Sequence, residues 1–262
     1  MGAMLCVVAA LALTGAFPRA LLARPATLFT HRAAGPAPLV TVGSREVLVG
    51  AGILFALLCC EVVAMLVVNG LFRRTVAGEA FFFVSYVASL SLEVLRLVTV
   101  ALVLLGYGPT LSVVVTRVVY MGRIFGLASL FFATLCSLGT RYSDFAVLSG
   151  ISVLLALAMG SVVPVDSASV TVGFVHAVSD GGGLLSVGAT ATAIVTLGAI
   201  ATPLVRQERR LLGYAAGVIC LLAARELLAL GSLAPAAAGL LLFVGGTYLY
   251  ARSLERVYLG VT

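Results

Sequence analysis

The sequence predicts an all-α fold, a polytopic bundle of about seven transmembrane helices, or eight if the N-terminal apolar run is an uncleaved helix. Two observations carry this. The 262-residue chain is 62% hydrophobic and 10% charged, with a mean hydropathy of +1.20. A soluble domain carries about 25% charged residues, so this chain lacks the polar side chains to cover a water-facing surface and its solvent is a bilayer. The second observation is spacing. Apolar stretches near the ~20 residues that cross a hydrocarbon core recur at 47–70, 80–106, 110–138, 145–164, 183–204, 211–231 and 235–251.

In chain order, residues 1–17 are an apolar run ended by Pro18 and Arg19. The run has the length of a signal h-region but lacks the positive n-region of one, so a signal-like segment and a short hydrophobic helix both fit. Residues 18–46 form a Pro/Ala/Arg-bearing stretch, 47–251 a single transmembrane domain, and 252–262 a short tail. The connections are brief: Arg73 to Gly78, Tyr107-Gly108-Pro109, Gly139 to Asp144, Arg206 to Arg210, and Ser232 to Pro235. None has room for a soluble catalytic or signalling domain. The connection 165–183 is different, because SASVTVGFVHAVSDGGG alternates more like a strand than a helix and carries His176 and Asp180 just after Asp166. A surface loop, an interfacial helix and a re-entrant segment all fit it. No internal repeat is visible, and Pro164 and Pro203 fall at span ends rather than within paired broken helices.

Charge sets the expected orientation. With loops alternating between two sides, one side receives Arg73, Arg74, Arg141, Arg206, Arg209, Arg210, Arg252 and Arg256. The other side has arginine only in the N-terminal stretch, at positions 19, 24, 32 and 45. The excess predicts a cytoplasmic C-terminus and an external segment 18–46 in the plasma membrane.

Several functions are excluded. All sixteen basic residues are arginine, so no lysine can carry a retinal Schiff base. The net charge of +6 is spread over loops, with no basic block and no interleaved aromatics, so nucleic acid is not an expected partner. Cys6, Cys59, Cys60, Cys136 and Cys220 lie in apolar runs without a CxxC pair, and His31 and His176 are far apart. Neither a metal site nor a cofactor is expected. The chain has no HExxH motif, no paired intramembrane aspartates and no spaced phosphate-binding glycines. A Ser152–His176 pair is the only ingredient of an intramembrane serine protease. Thr190, Thr192, Thr196 and Thr202 are expected to bond back to their own helix.

The chemistry-bearing residues lie inside the spans: Glu61, Glu93, Arg96, Arg117, Arg123, Arg225 and Glu226. A charged side chain at mid-depth costs about 2.5–3.5 kcal/mol. In the second span Ser85, Ser89, Glu93 and Arg96 recur at helical spacing as one polar stripe. In the third, Thr116, Tyr120 and Arg123 form a matching stripe with Arg117 beside it, and Gly122, Gly126, Ser129 and Ala133 form a small-residue face. The tight connection at Tyr107-Gly108-Pro109 makes the two spans antiparallel neighbours, which lets Arg123 meet Glu93 and sets Arg117 near Arg96. Adjacent residues on a helix diverge by ~100°, so Arg225 and Glu226 point apart. Glu61, alone at mid-span, requires a partner or a proton.

Four arginines against three glutamates leave a surplus positive charge, and guanidinium groups bind carboxylate or phosphate bidentately. The expected activity is binding or transport of a small anionic solute through a Glu/Arg pocket formed by Glu61, Ser89, Glu93, Arg96, Arg117, Tyr120, Arg123, Arg225 and Glu226. The same pairs would also serve to register helices in a bundle that holds no ligand. A seven-helix sensory or membrane-complex subunit with a membrane or cytoplasmic protein partner is the alternative. An outer-face lipid-modifying enzyme using Asp166, His176 and Asp180 is the third. Membrane lipids are partners in all three.

Overall fold

The computed structural model describes residues 29–31, 40–42, 44–72, 78–104, 109–137, 145–170, 175–178, 181–206, 212–229 and 233–258. The helices are α1 (Ser44–Phe72), α2 (Gly78–Leu90), α3 (Leu95–Leu104), α4 (Pro109–Ser137), α5 (Phe145–Val162), α6 (Gly181–Arg206), α7 (Leu212–Ala229) and α8 (Leu233–Tyr258). A four-residue 3₁₀ turn, Ser91–Val94, joins α2 to α3 within one span. The chain is thus an all-α bundle in which each of the seven apolar stretches becomes helical. Six stretches of helix among the described residues are long and apolar enough to cross a membrane, and α6 contributes a shorter apolar stretch, Thr190–Thr202. The N-terminal run 1–17 lies outside the described residues.

Local chemistry explains the ends. Pro109 opens α4 and Pro235 falls in the first turn of α8, where a missing backbone N–H removes no helical bond. The alternating segment after Pro164 forms a hairpin. β3 (Val165–Val170) pairs antiparallel with β4 (His176–Val178), with an irregularity between the Val165↔Val178 and Val170↔His176 partners. A second hairpin, β1 (Phe29–His31) with β2 (Val40–Val42), lies in the N-terminal stretch. β1 touches β3, and β3 and β4 pack on α4. The two hairpins therefore share one side of the bundle.

Close helix approach follows the small residues. A Cβ at Gly126 would collide with the Ser89 side chain, and one at Gly122 would come within 2.7 Å of Leu92. These two glycines seat α4 against α2 and the 3₁₀ turn. α7 and α8 meet in the same way, since a Cβ at Gly217 would lie 2.9 Å from the Tyr250 backbone nitrogen and 3.0 Å from the Gly246 carbonyl. The core between them is aromatic. Phe83 stacks on Tyr250 at 4.3 Å, and Tyr250 lies 5.0 Å from Tyr214, all fully buried. α5 buries only Leu148, Ser152, Ala156 and Gly160, one stripe at four-residue spacing. Its other faces present Ile151, Leu154, Leu157 and Val162 outward, which suits hydrocarbon and not water.

Candidate functional site

The site grows from a local conflict in the second span. Ser89 Oγ donates to the Tyr86 carbonyl at 2.6 Å and Ser91 Oγ to the Ala88 carbonyl at 2.6 Å. Both bonds reach three residues back, and such side-chain bonds compete with the regular i→i−4 ladder. Immediately afterwards the backbone tightens into the 3₁₀ turn Ser91–Val94. The second span is therefore not the continuous helix that its stripe suggests. Ser89 is consumed by its own backbone and packs on Gly126.

Glu93 sits in this turn, 6% exposed. Arg123 on α4 grips its carboxylate with two bonds, Nε to Oε1 at 2.7 Å and Nη2 to Oε2 at 3.3 Å. This is the paired geometry that makes guanidinium–carboxylate contacts strong. Arg96, 3% exposed, forms an ion pair through Nη2 with Glu93 Oε2, and its Nη1 donates to the Leu228 carbonyl at 3.4 Å. The Arg123 guanidinium also lies 5.3 Å from the centre of the Tyr120 ring, a cation–π distance. The structure thus joins Glu93, Arg96, Tyr120 and Arg123 through side chains and brings in α7 through a backbone carbonyl.

Arg225 on α7 is within electrostatic range of Glu93 and Arg123. Its Nη1 lies 3.6 Å from Glu226 Oε1, but the Glu226 side chain is 60% exposed against 12% for Arg225. The two neighbours therefore diverge, one into the bundle and one outward. The cluster holds three buried or nearly buried guanidiniums, Arg96, Arg123 and Arg225, against the single buried carboxylate of Glu93. Among the described residues Arg96 Nε, Arg117 Nε and Arg225 Nη1 have no hydrogen-bond acceptor, the last having only its 3.6 Å ion-pair contact with Glu226. Arg117 is on α4 six residues before Arg123, about 9 Å along the axis at helical rise.

Glu61 occupies the middle of the buried face of α1, in line with Leu54, Leu57, Leu58, Ala64 and Val68. It is fully buried and neither carboxyl oxygen has a partner. The structure does not pair it with an arginine; α1 packs against the 3₁₀ turn, where Glu61 comes within electrostatic range of Glu93. One residue escaped sequence reasoning. Thr99 on α3 is fully buried with an unpartnered hydroxyl, three residues beyond Arg96. Extending the polar stripe by one more helical step would have found it.

The remaining candidates are not gathered here. Asp166 lies beside the Val165↔Val178 end of its hairpin, while His176 is opposite Val170 near the other end. Asp180 lies outside the described residues. Ser152 is buried and donates to the Leu148 carbonyl at 3.0 Å. Thr196 and Thr202 donate to the Thr192 and Gly198 carbonyls within α6. Among the described residues no three His, Cys, Asp or Glu side chains are grouped to hold a metal ion.

Long apolar helices enclosing a buried ionic network define a multi-pass helical membrane protein. No family model, curated protein or solved structure matches the chain.

Proposed function

We propose that this chain is an integral plasma-membrane protein that binds a small anionic solute at the Glu93/Arg96/Arg123 cluster and moves it across the bilayer. The C-terminus is cytoplasmic and both hairpins are external. The observation that carries the proposal is a set of buried guanidinium donors left unsatisfied: among the described residues Arg96 Nε and Arg117 Nε have no acceptor, and Arg225 Nη1 has only the exposed Glu226 carboxylate at 3.6 Å. A buried cationic donor left unpaired is costly, and a carboxylate, sulfate or phosphate supplies the missing oxygens in guanidinium geometry. The 3₁₀ turn adds support, because a mid-helix 3₁₀ stretch often marks a hinge and transported solutes bind where membrane helices break.

The test is equilibrium binding and uptake of sulfate, phosphate, lactate and succinate by the full chain in liposomes. Arg96→Gln, Arg117→Gln and Arg225→Gln are each expected to weaken binding of the preferred anion about tenfold or more, the loss of one charge-assisted bond of roughly 1.5–3 kcal/mol. The proposal fails if none of the four anions binds, or if all three folded variants bind as the wild type does.

A membrane-complex subunit is the second reading. It is favoured by a groove of about 520 Å³ between α1 and α8, lined by Val63, Val67, Val244 and Tyr248, which would accept a neighbouring helix.

A further inference from the structure

The anion site leaves one buried ionisable group unused. Glu61 has no exposed surface, no hydrogen-bond partner on either oxygen and no ion pair among the described residues. An ionised carboxylate in that position costs far more than a neutral one, and such a group neutralises by taking a proton. Among the described residues no cation is paired with it. On α2 the group within electrostatic range is Tyr86, whose hydroxyl already donates to the Leu221 carbonyl at 3.1 Å. In the 3₁₀ turn it is Glu93, held by Arg96 and Arg123. From its own helix it meets Cys60. On α8 the titratable groups turned toward α1 are Tyr248, Arg252 and Glu255, in the groove beside Cys59 and Cys60.

We infer that Glu61 is a proton-binding site coupled to the anion site, so that proton and anion are held together and the solute moves with a proton. The inference rests on the anion-binding proposal and names its coupling ion. The physical link is charge. When Glu61 is neutral, the arginine cluster keeps its surplus and accepts an anion. When Glu61 loses its proton, a second negative charge arises beside Glu93, and the incoming anion meets repulsion in a medium of low dielectric. Proton and anion then favour each other's binding by the same factor, as reciprocity requires. The 3₁₀ turn is the shared element, because it packs on α1 and carries Glu93.

Two measurements on the full chain in liposomes decide it. The first needs no solute: the infrared C=O band of a protonated carboxyl, recorded at about pH 7. The band is expected in the wild type and lost in Glu61→Gln, whose amide is nearly isosteric with the neutral acid. If the wild type shows no band that Glu61→Gln removes, the proton assignment is overturned. The second is the affinity for sulfate and lactate between about pH 6 and about pH 10, where neither anion changes charge. Wild-type affinity is expected to fall about tenfold toward the alkaline end, within the usual range for coupled sites. Glu61→Gln is expected to bind at the wild-type acid-side strength across the whole range, and Glu61→Asp to restore the fall. If Glu61→Gln declines in parallel with the wild type, the coupling is overturned while the anion site stands. If none of sulfate, phosphate, lactate and succinate binds the wild type at any pH but the infrared band is present and specific to Glu61, the anion-binding proposal falls and the coupling falls with it.

Discussion

Glu79 and Glu93 are buried carboxylates on the same span, yet they are satisfied by different means. Glu79 opens α2, where helix N–H groups favour negative charge. Among the described residues its carboxylate accepts from a neutral donor, the Tyr258 hydroxyl at 2.7 Å, while its backbone carbonyl accepts from Tyr250 at 2.9 Å. Glu93, about 21 Å further along at helical rise, takes two guanidiniums. Near the end of a span, dipole and hydroxyl help hold a carboxylate and tie α8 to α2. At its centre full countercharge is needed, and here more of it is present than Glu93 can use. The first arrangement is a clasp. The second has the surplus from which the anion site is inferred.

Mutations can break or sharpen that contrast. The largest effect is expected from Glu93→Leu, which leaves Arg96 and Arg123 without their carboxylate; removing one side of a buried ion pair costs about 3–5 kcal/mol. It should lower the unfolding midpoint in mixed micelles more than any other change considered. Replacing Glu93, Arg96 and Arg123 together by leucine is expected to recover most of that loss, because apolar groups of similar volume need no countercharge, while abolishing anion binding. If the triple variant is no more stable than Glu93→Leu, the cluster is held by something other than mutual neutralisation.

Tyr258→Phe deletes one bond to a carboxylate and is expected to cost about 1.5–3 kcal/mol, with anion binding unchanged. A loss of binding in this variant, measured with sulfate, would erase the distinction between clasp and site. Gly217→Ala is expected to cost about 1–3 kcal/mol, because backbone rather than a flexible side chain stands against the new methyl. Gly150→Ala, with nothing within 4 Å, should leave stability unchanged or raise it by up to about 1 kcal/mol. A similarly small effect on stability, a loss below about 1 kcal/mol, is expected from Ser91→Ala, which frees the Ala88 carbonyl. Since that bond helps tighten the turn holding Glu93, its altered anion affinity would show that the turn shapes the site.

Much of this was legible without coordinates in space. The Glu93–Arg123 contact follows from a short connection between two polar stripes, a local inference across thirty residues. The clasp was not legible, because Glu79 and Tyr258 are 179 residues apart and nothing in either segment announces the other. Arg225 was visible as a charge in a span, but its approach to Glu93 depends on how α7 is rotated. The 3₁₀ turn was hidden because its cause, two serines bonding carbonyls three residues back, looks in sequence like two ordinary polar positions on a helix.

The sequence by itself determined the bilayer solvent, the apolar stretches and their helical state, because hydropathy and length act within each segment and require no partner. Only the tertiary structure decided which charges met. It gave Arg96 the Leu228 carbonyl from 132 residues away and left Glu61 without a hydrogen-bond partner among the described residues. That outcome depends on the rotation and depth of several helices at once, and no single segment encodes either.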